Sequence, residues 1–225
     1  MQTLTVSLSL IRAARSHAAE KDLRYYLQGV YFDTKNGKLV STDGHRMLIA
    51  SASGIQCNVS PFIIANETLD AVLSQYKGDY ARGKRSGDID ITVTVSDEMT
   101  VSFSTPIGLI SGKPLDGTFP DYRRVIPKPE DVMTESPAVF NQTYIYEAFD
   151  AILIARNKTL KAASNYAVKV FGFGDSCGVV TDGSSGVVVI VMPIRKNEIH
   201  SEAAAAACRE ALSETVTETQ TAAAA

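Results

Sequence analysis

The sequence reads as an α+β protein in which one short helix recurs within a sheet-rich context. Two observations carry this. First, three segments with helical apolar spacing, near residues 8–19, 67–76 and 144–155, are each preceded by a short strand pattern and followed by three more. Second, the period is roughly 60 residues and shows in element order more than in residue identity. The composition of the 225 residues, 45% hydrophobic and 21% charged, is that of a globular chain with ample core.

Taken in order, residues 3–7 alternate like a strand, and Leu8, Ile11, Ala14, Ala18 and Ala19 mark a helix over 8–19. Arg24–Phe32 is strand by its aromatic and β-branched content, and Asn36-Gly37 signals a hairpin. A return strand opens at Lys38, is interrupted by Thr42-Asp43-Gly44-His45-Arg46 and resumes over Met47–Ser51. The second unit starts with a strand at Phe62–Ile64. A helix from Glu67 to Tyr76 follows, with Asn66 as its expected cap. After a basic loop come strands at 88–95, 99–105 and about 107–112. The third unit starts with Ala138–Phe140 and a cap at Asn141. Its helix carries Tyr144, Ala148, Ala151, Ile152 and Ala155 as a stripe, and strands follow at 166–173, 177–181 and 186–192. Between the second and third units lies Thr118-Phe119-Pro120-Asp121-Tyr122-Arg123-Arg124-Val125-Ile126-Pro127. Its prolines reject helix and central strand, so it reads as a stiff extended connector. The divisions expected are 1–117 as a complete two-unit domain, 118–136 as linker, 137–196 as a half domain and 197–225 as an acidic, Ala-rich tail.

Charge is uneven. The net value is −3, but the residues from Asn197 onward carry five glutamates against Arg209, which leaves the preceding body near +1. Basic residues recur on or beside each helix: Arg12, Arg15 and Lys21; then Lys77, Arg82, Lys84 and Arg85; then Arg156, Lys158 and Lys161. Any one cluster is ordinarily a solvated face. Three at equivalent places would make a repeated basic surface suited to phosphate contacts without base readout.

Three widely spaced cysteines, Cys57, Cys177 and Cys208, fit a reducing compartment better than a disulfide framework. No Cys/His spacing suits a metal, no glycine-rich phosphate loop is complete, and neither cofactor nor metal is expected. The N-terminus lacks signal-peptide character and no apolar run is long enough for a membrane span, so a cytoplasmic protein without membrane partners is expected. Asp43 and His45 are the one place where His meets Asp, which admits general-base chemistry. No nucleophile accompanies them, and Asp-Gly between strand patterns more simply marks a turn. Catalytic residues are therefore not expected.

Four motifs resemble one family. Thr42-Asp43-Gly44-His45-Arg46-Met47 resembles the TDGHRL motif of the bacterial β sliding clamps, the processivity subunit of DNA polymerase III. Asp22-Leu23-Arg24-Tyr25-Tyr26-Leu27-Gln28-Gly29 resembles their DVRYYLNG, Phe119–Pro127 their linker between the second and third domains, and Val191-Met192-Pro193-Ile194-Arg195 their VMPMR. The resemblance covers about residues 1–196. It implies the β-clamp fold and a reduced version of it: the middle domain followed by the last half of the third. Family members have three domains of two units each and close rings of twelve units around duplex DNA, so three units per chain would need four chains. The resemblance also implies a non-enzymatic replication protein with sequence-independent DNA contacts. Polymerase and clamp-loader-type partners would insert a short apolar peptide into a pocket between domains. The matching positions are Arg24, Leu27, Thr42, Gly44, His45, Arg46, Met47, Pro120, Arg124, Val125, Ile190, Val191, Met192, Pro193, Ile194 and Arg195. A truncated clamp that forms no ring and competes for the same peptides as a decoy or regulator is the alternative. The reduced architecture points to a phage or prophage source.

Overall fold

The helices all pack on one side of a broad sheet, and the connector lies on the other. The computed structural model describes residues 1–76, 88–128, 130, 139–157, 169–173 and 177–194. Met1–Ile194 forms one compact unit, and Arg195–Ala225 lies outside the described residues.

The first unit contains β1 (Gln2–Ser7), α1 (Leu8–Arg15), β2 (Gly29–Asp33), β3 (Lys38–Thr42) and β4 (Arg46–Ser51). The second contains β5 (Phe62–Ala65), α2 (Asn66–Ser74), β6 (Asp90–Val95), β7 (Val101–Thr105) and β8 (Gly108–Gly112). The third contains α3 (Gln142–Ala155), β9 (Lys169–Phe173), β10 (Cys177–Thr181) and β11 (Val187–Val191). A four-stranded sheet has the order β1-β6-β7-β8, and a seven-stranded sheet the order β5-β2-β3-β4-β11-β10-β9. The seam between the first and third units is therefore a full antiparallel ladder, with Val187 opposite Ala50 and Val191 opposite Arg46.

Strand alternation explains why β4 and β11 read as unbroken apolar runs. Side chains of successive strand residues point to opposite faces. Leu48 and Ala50, with Val187, Val189 and Val191, join the core that contains α1, α2 and α3. Met47, Ile49 and Ile190 join a second cluster with Phe119 and Tyr122 of the connector. The helices cover one face and the connector crosses the other, so both registers are apolar.

Several local expectations are corrected. Thr42–Arg46 does not interrupt one return strand; it is the turn between two paired strands, with Thr42 opposite Met47. Tyr25–Leu27 is a 3-10 turn ahead of β2 rather than its beginning. Asn66 does not cap α2. Ala65 takes the N-cap position, and the Asn66 amide donates to the Ala19 carbonyl at 2.8 Å. Tethering two buried backbones outcompetes capping here. Val139 forms an isolated bridge with Ile194 where a strand over 138–140 was expected. Asn141 does cap α3, accepting from the Thr143 N–H at 2.9 Å. At the start of α1, Ser7 is the cap, and the Asp88 carboxylate accepts from the Ser9 N–H, placing negative charge at the helix's positive end.

Candidate functional site

The β3–β4 turn is locked from within. Asp43 Oδ1 accepts from the backbone N–H groups of His45 and Arg46, each at 2.9 Å. Its Oδ2 takes Arg46 Nε at 3.0 Å. The Thr42 hydroxyl donates to the Arg46 carbonyl and accepts from the Gly44 N–H. The Asp43 carboxylate is thus spent on the turn rather than on the His45 ring, which stacks on Tyr144 of α3 with centroids 5.8 Å apart. That geometry removes the Asp–His general-base reading. Gly44 has φ +91°, and a Cβ there would meet Arg24 Nη2 at 2.9 Å. Glycine is needed for both backbone angle and space. Arg24 is itself held in place by Asp22, through contacts of 3.0 and 2.7 Å. In return, the Arg24 guanidinium and N–H pull the Asp22 carboxyl down to about 2.

Arg46 connects the turn to α3. Its guanidinium meets Glu147 and lies 5.2 Å from the Tyr144 ring centroid, so the turn, helix and pocket wall are fixed together.

The connector supplies the opposite wall. Phe119 stacks on Tyr31 with centroids 4.8 Å apart and planes 2° from parallel. Asp121 caps a 3-10 turn over Tyr122–Val125. The buried Tyr122 hydroxyl donates to Asp33 Oδ2 at 2.9 Å. Burial and the neighbouring carboxylate push the Tyr122 hydroxyl up to about 12, so it remains a donor throughout the ordinary pH range. Finally, the Met192 N–H donates to the His45 carbonyl at 2.8 Å, tying the segment after β11 to the tip of the turn.

Between these walls is a cavity of about 200 Å³. It brings together Arg24, Leu27, Thr42, Gly44, His45, Arg46, Met47, Pro120, Val125 and Met192 from the predicted set. Leu27 and Met47 are buried and give it an apolar floor. Other predicted members are not in its lining. Val191 is turned to the helical face by strand alternation, Ile190 faces a neighbouring cavity, and Arg124 is exposed on the connector. Pro193 and Ile194 continue beyond it, with Ile194 bridged to Val139. Arg195 lies outside the described residues. Phe119, Asp121 and Tyr122 also line the cavity, although they are not among the positions matched to the family's pocket. The signal for them was present: aromatics three apart around a proline-fixed turn present one face.

The basic residues divide. Arg12 and Arg15 lie in the last turn of α1. Arg15 is engaged by Asp70 in a bidentate contact of 2.9 and 2.8 Å and by Glu20 at 2.8 Å. Arg156 caps α3 and pairs with the buried Asp182. Lys21 is exposed with φ +39°. Lys77, Arg82, Lys84, Arg85, Lys158 and Lys161 lie outside the described residues. Two of the predicted phosphate contacts are therefore already satisfied by carboxylates, a pairing that charge counting along the chain does not show. Among the described residues, no His, Cys, Asp and Glu group is arranged to hold a metal ion, and no helix is long and apolar enough to cross a membrane.

No family model matches the sequence. Individual proteins do. The beta sliding clamp of Escherichia coli K12 is 30% identical over 161 residues, which is 70% of this chain and 40% of that protein. This chain is a relative of the bacterial β sliding clamps. It spans about 40% of the length of the curated relatives it matches. The fold agrees: a DNA polymerase sliding clamp from Pseudomonas aeruginosa superposes with a TM-score of 0.59 at 17% identity, covering 86% of this chain and 67% of that one. Caulobacter crescentus pol III beta gives 0.60 at 20% identity, covering 87% and 67%. The α+β architecture is thus the β-clamp fold, present in part.

Proposed function

We propose that this clamp relative acts by binding rather than catalysis, as a DNA sliding clamp or processivity factor. It holds duplex DNA without sequence preference and tethers a polymerase or clamp-loader-type partner by a short apolar peptide. The observation that carries this reading is the cavity itself. Ten predicted residues from four distant stretches converge on one apolar pocket rimmed by Arg24, His45 and Arg46. Such a pocket, apolar with few fixed polar groups, suits a Leu or Phe anchor. A homo-oligomeric ring, four chains by unit arithmetic, supplies the DNA half of the reading. The domain division at 118–136 and the basic helix-side residues belong to the same proposal.

The test pairs two measurements on the full chain. A fluorescein-labelled Ser-Leu-Phe peptide is expected to bind, with Met47→Ser weakening it about tenfold. Circular duplex at low salt is expected to shift in a gel, with affinity falling steeply as salt rises. Peptide binding without any DNA shift at low salt would leave the decoy or regulator reading in its place. Failure of both refutes the proposal.

A further inference from the structure

A second and larger cavity, of about 500 Å³, lies on the same face of the seven-stranded sheet. Its floor is Ile49 of β4, Val188 and Ile190 of β11, and Val179 of β10. These are the strand positions that alternate with the helix-facing ones, and Ile49 stands directly opposite Val188. Tyr122 lines this cavity and the 200 Å³ pocket alike. Val125 lines the first and Ile126 the second, so consecutive connector residues serve opposite sides. The connector is thus a bridge across one apolar trench, dividing it into two pockets.

The top of the bridge is charged. Arg123 and Arg124 are exposed there, and Lys38 stands at the rim of the second pocket. Against them are Asp121, whose carboxylate accepts from the Arg123 N–H, and Asp33. Asp33 is 3.5 Å from Arg123 but buried, and it also accepts from Tyr122 and Asn36. The exposed surplus between the pockets is positive. An apolar pocket on each side of a cationic ridge is complementary to one kind of occupant.

We infer that the second pocket extends the partner site: it takes a further apolar side chain of the same bound segment, joined to the first anchor by acidic residues that cross Arg123 and Arg124. The partner is therefore an extended apolar–acidic–apolar peptide. This rests on the peptide-binding reading of the first pocket. The apolar ends contribute affinity by burial, and the acidic centre contributes register and salt sensitivity.

Three labelled peptides test it by fluorescence anisotropy: Ser-Leu-Phe alone, and the same three residues joined to Leu through Asp-Glu-Asp at either end. One extended peptide is expected to bind the wild-type chain about tenfold tighter than the short one, the difference shrinking with added salt. Ile126→Glu, at a site 42% exposed, is expected to abolish that gain and leave the short peptide's affinity unchanged. Val188→Thr, which keeps the side-chain shape, is expected to reduce the gain. The inference is overturned if neither extended peptide binds tighter than the short one, or if the gain survives Ile126→Glu. Should the short peptide fail to bind wild-type protein, the first-pocket reading falls and this inference with it.

Discussion

Acidification will destabilise the protein through His17, and by an amount that can be worked out. His17 follows α1 and is fully buried. The Ser16 hydroxyl donates its hydrogen to the Ala13 carbonyl at 2.8 Å, so its 3.0 Å contact with His17 Nδ1 requires that Nδ1 carry the proton. Nε2 is then a bare acceptor with no hydrogen-bond partner among the described residues. Protonation would place an N–H and a charge at that buried atom, close to the Arg46 guanidinium. Burial, then Arg46, pull the imidazole down to about 3, with Asp43 opposing. Between the unfolded value near 6.5 and about 3, the unfolded chain binds a proton that the folded chain refuses. Stability is thus intact above the unfolded value and is lost as pH falls through this window, by up to about 1.4 kcal/mol per pH unit. From pH 7 to pH 4.5 the loss from this one group is about 2–3 kcal/mol. Urea denaturation of wild type and His17→Gln at both pH values isolates it from the carboxylates. The variant is expected to be less stable at pH 7 but to lose about 2–3 kcal/mol less on acidification. Parallel pH dependence of the two proteins would refute a neutral buried imidazole.

Other perturbations have definite outcomes. Gly44→Ala forces a side chain onto φ +91° and against Arg24, costing about 1–2 kcal/mol in thermal or urea unfolding and weakening the short peptide several-fold. Tyr122→Phe removes the donor to buried Asp33 and is expected to cost about 1–2 kcal/mol by urea denaturation. Gly178→Ala drives a Cβ to 2.8 Å from the Phe140 ring and should lower the melting temperature by several degrees, about 1–3 kcal/mol. Asp70→Asn releases Arg15 from one carboxylate. Duplex affinity at low salt should rise and the salt slope steepen by about one counterion, as read by anisotropy of a labelled duplex.

Element order was legible because periodicity is a local property. Strand β10 follows from alternation, and the cap at Asn141 from a capping residue placed just before a helical stripe. The cap at Asn66 did not, because a distant backbone carbonyl, that of Ala19, claims its amide. The pocket was legible where motifs stood out, at Thr42–Met47 and Pro120. Its limits were not. A motif match covers the whole run Ile190–Arg195, but alternation allows Ile190 and Met192 one face and Val191 the other. The engagement of Arg15 and Arg156 was invisible for the same reason, since Asp70 and Asp182 come from other elements.

The β4–β11 ladder has a consequence for synthesis. Strand β4 receives β3 on one side from its immediate neighbour in sequence, but its other edge waits for a partner roughly 140 residues later. While the chain is being made, that edge is an open row of N–H and C=O groups beside Leu48 and Ile49. Folding of the seven-stranded sheet is therefore held back until β11 has emerged, and the open interval is one in which two nascent chains can mispair. Slow synthesis over residues 52–186 would lengthen it, and a holdase chaperone acting on the early hairpins would have its strongest effect there.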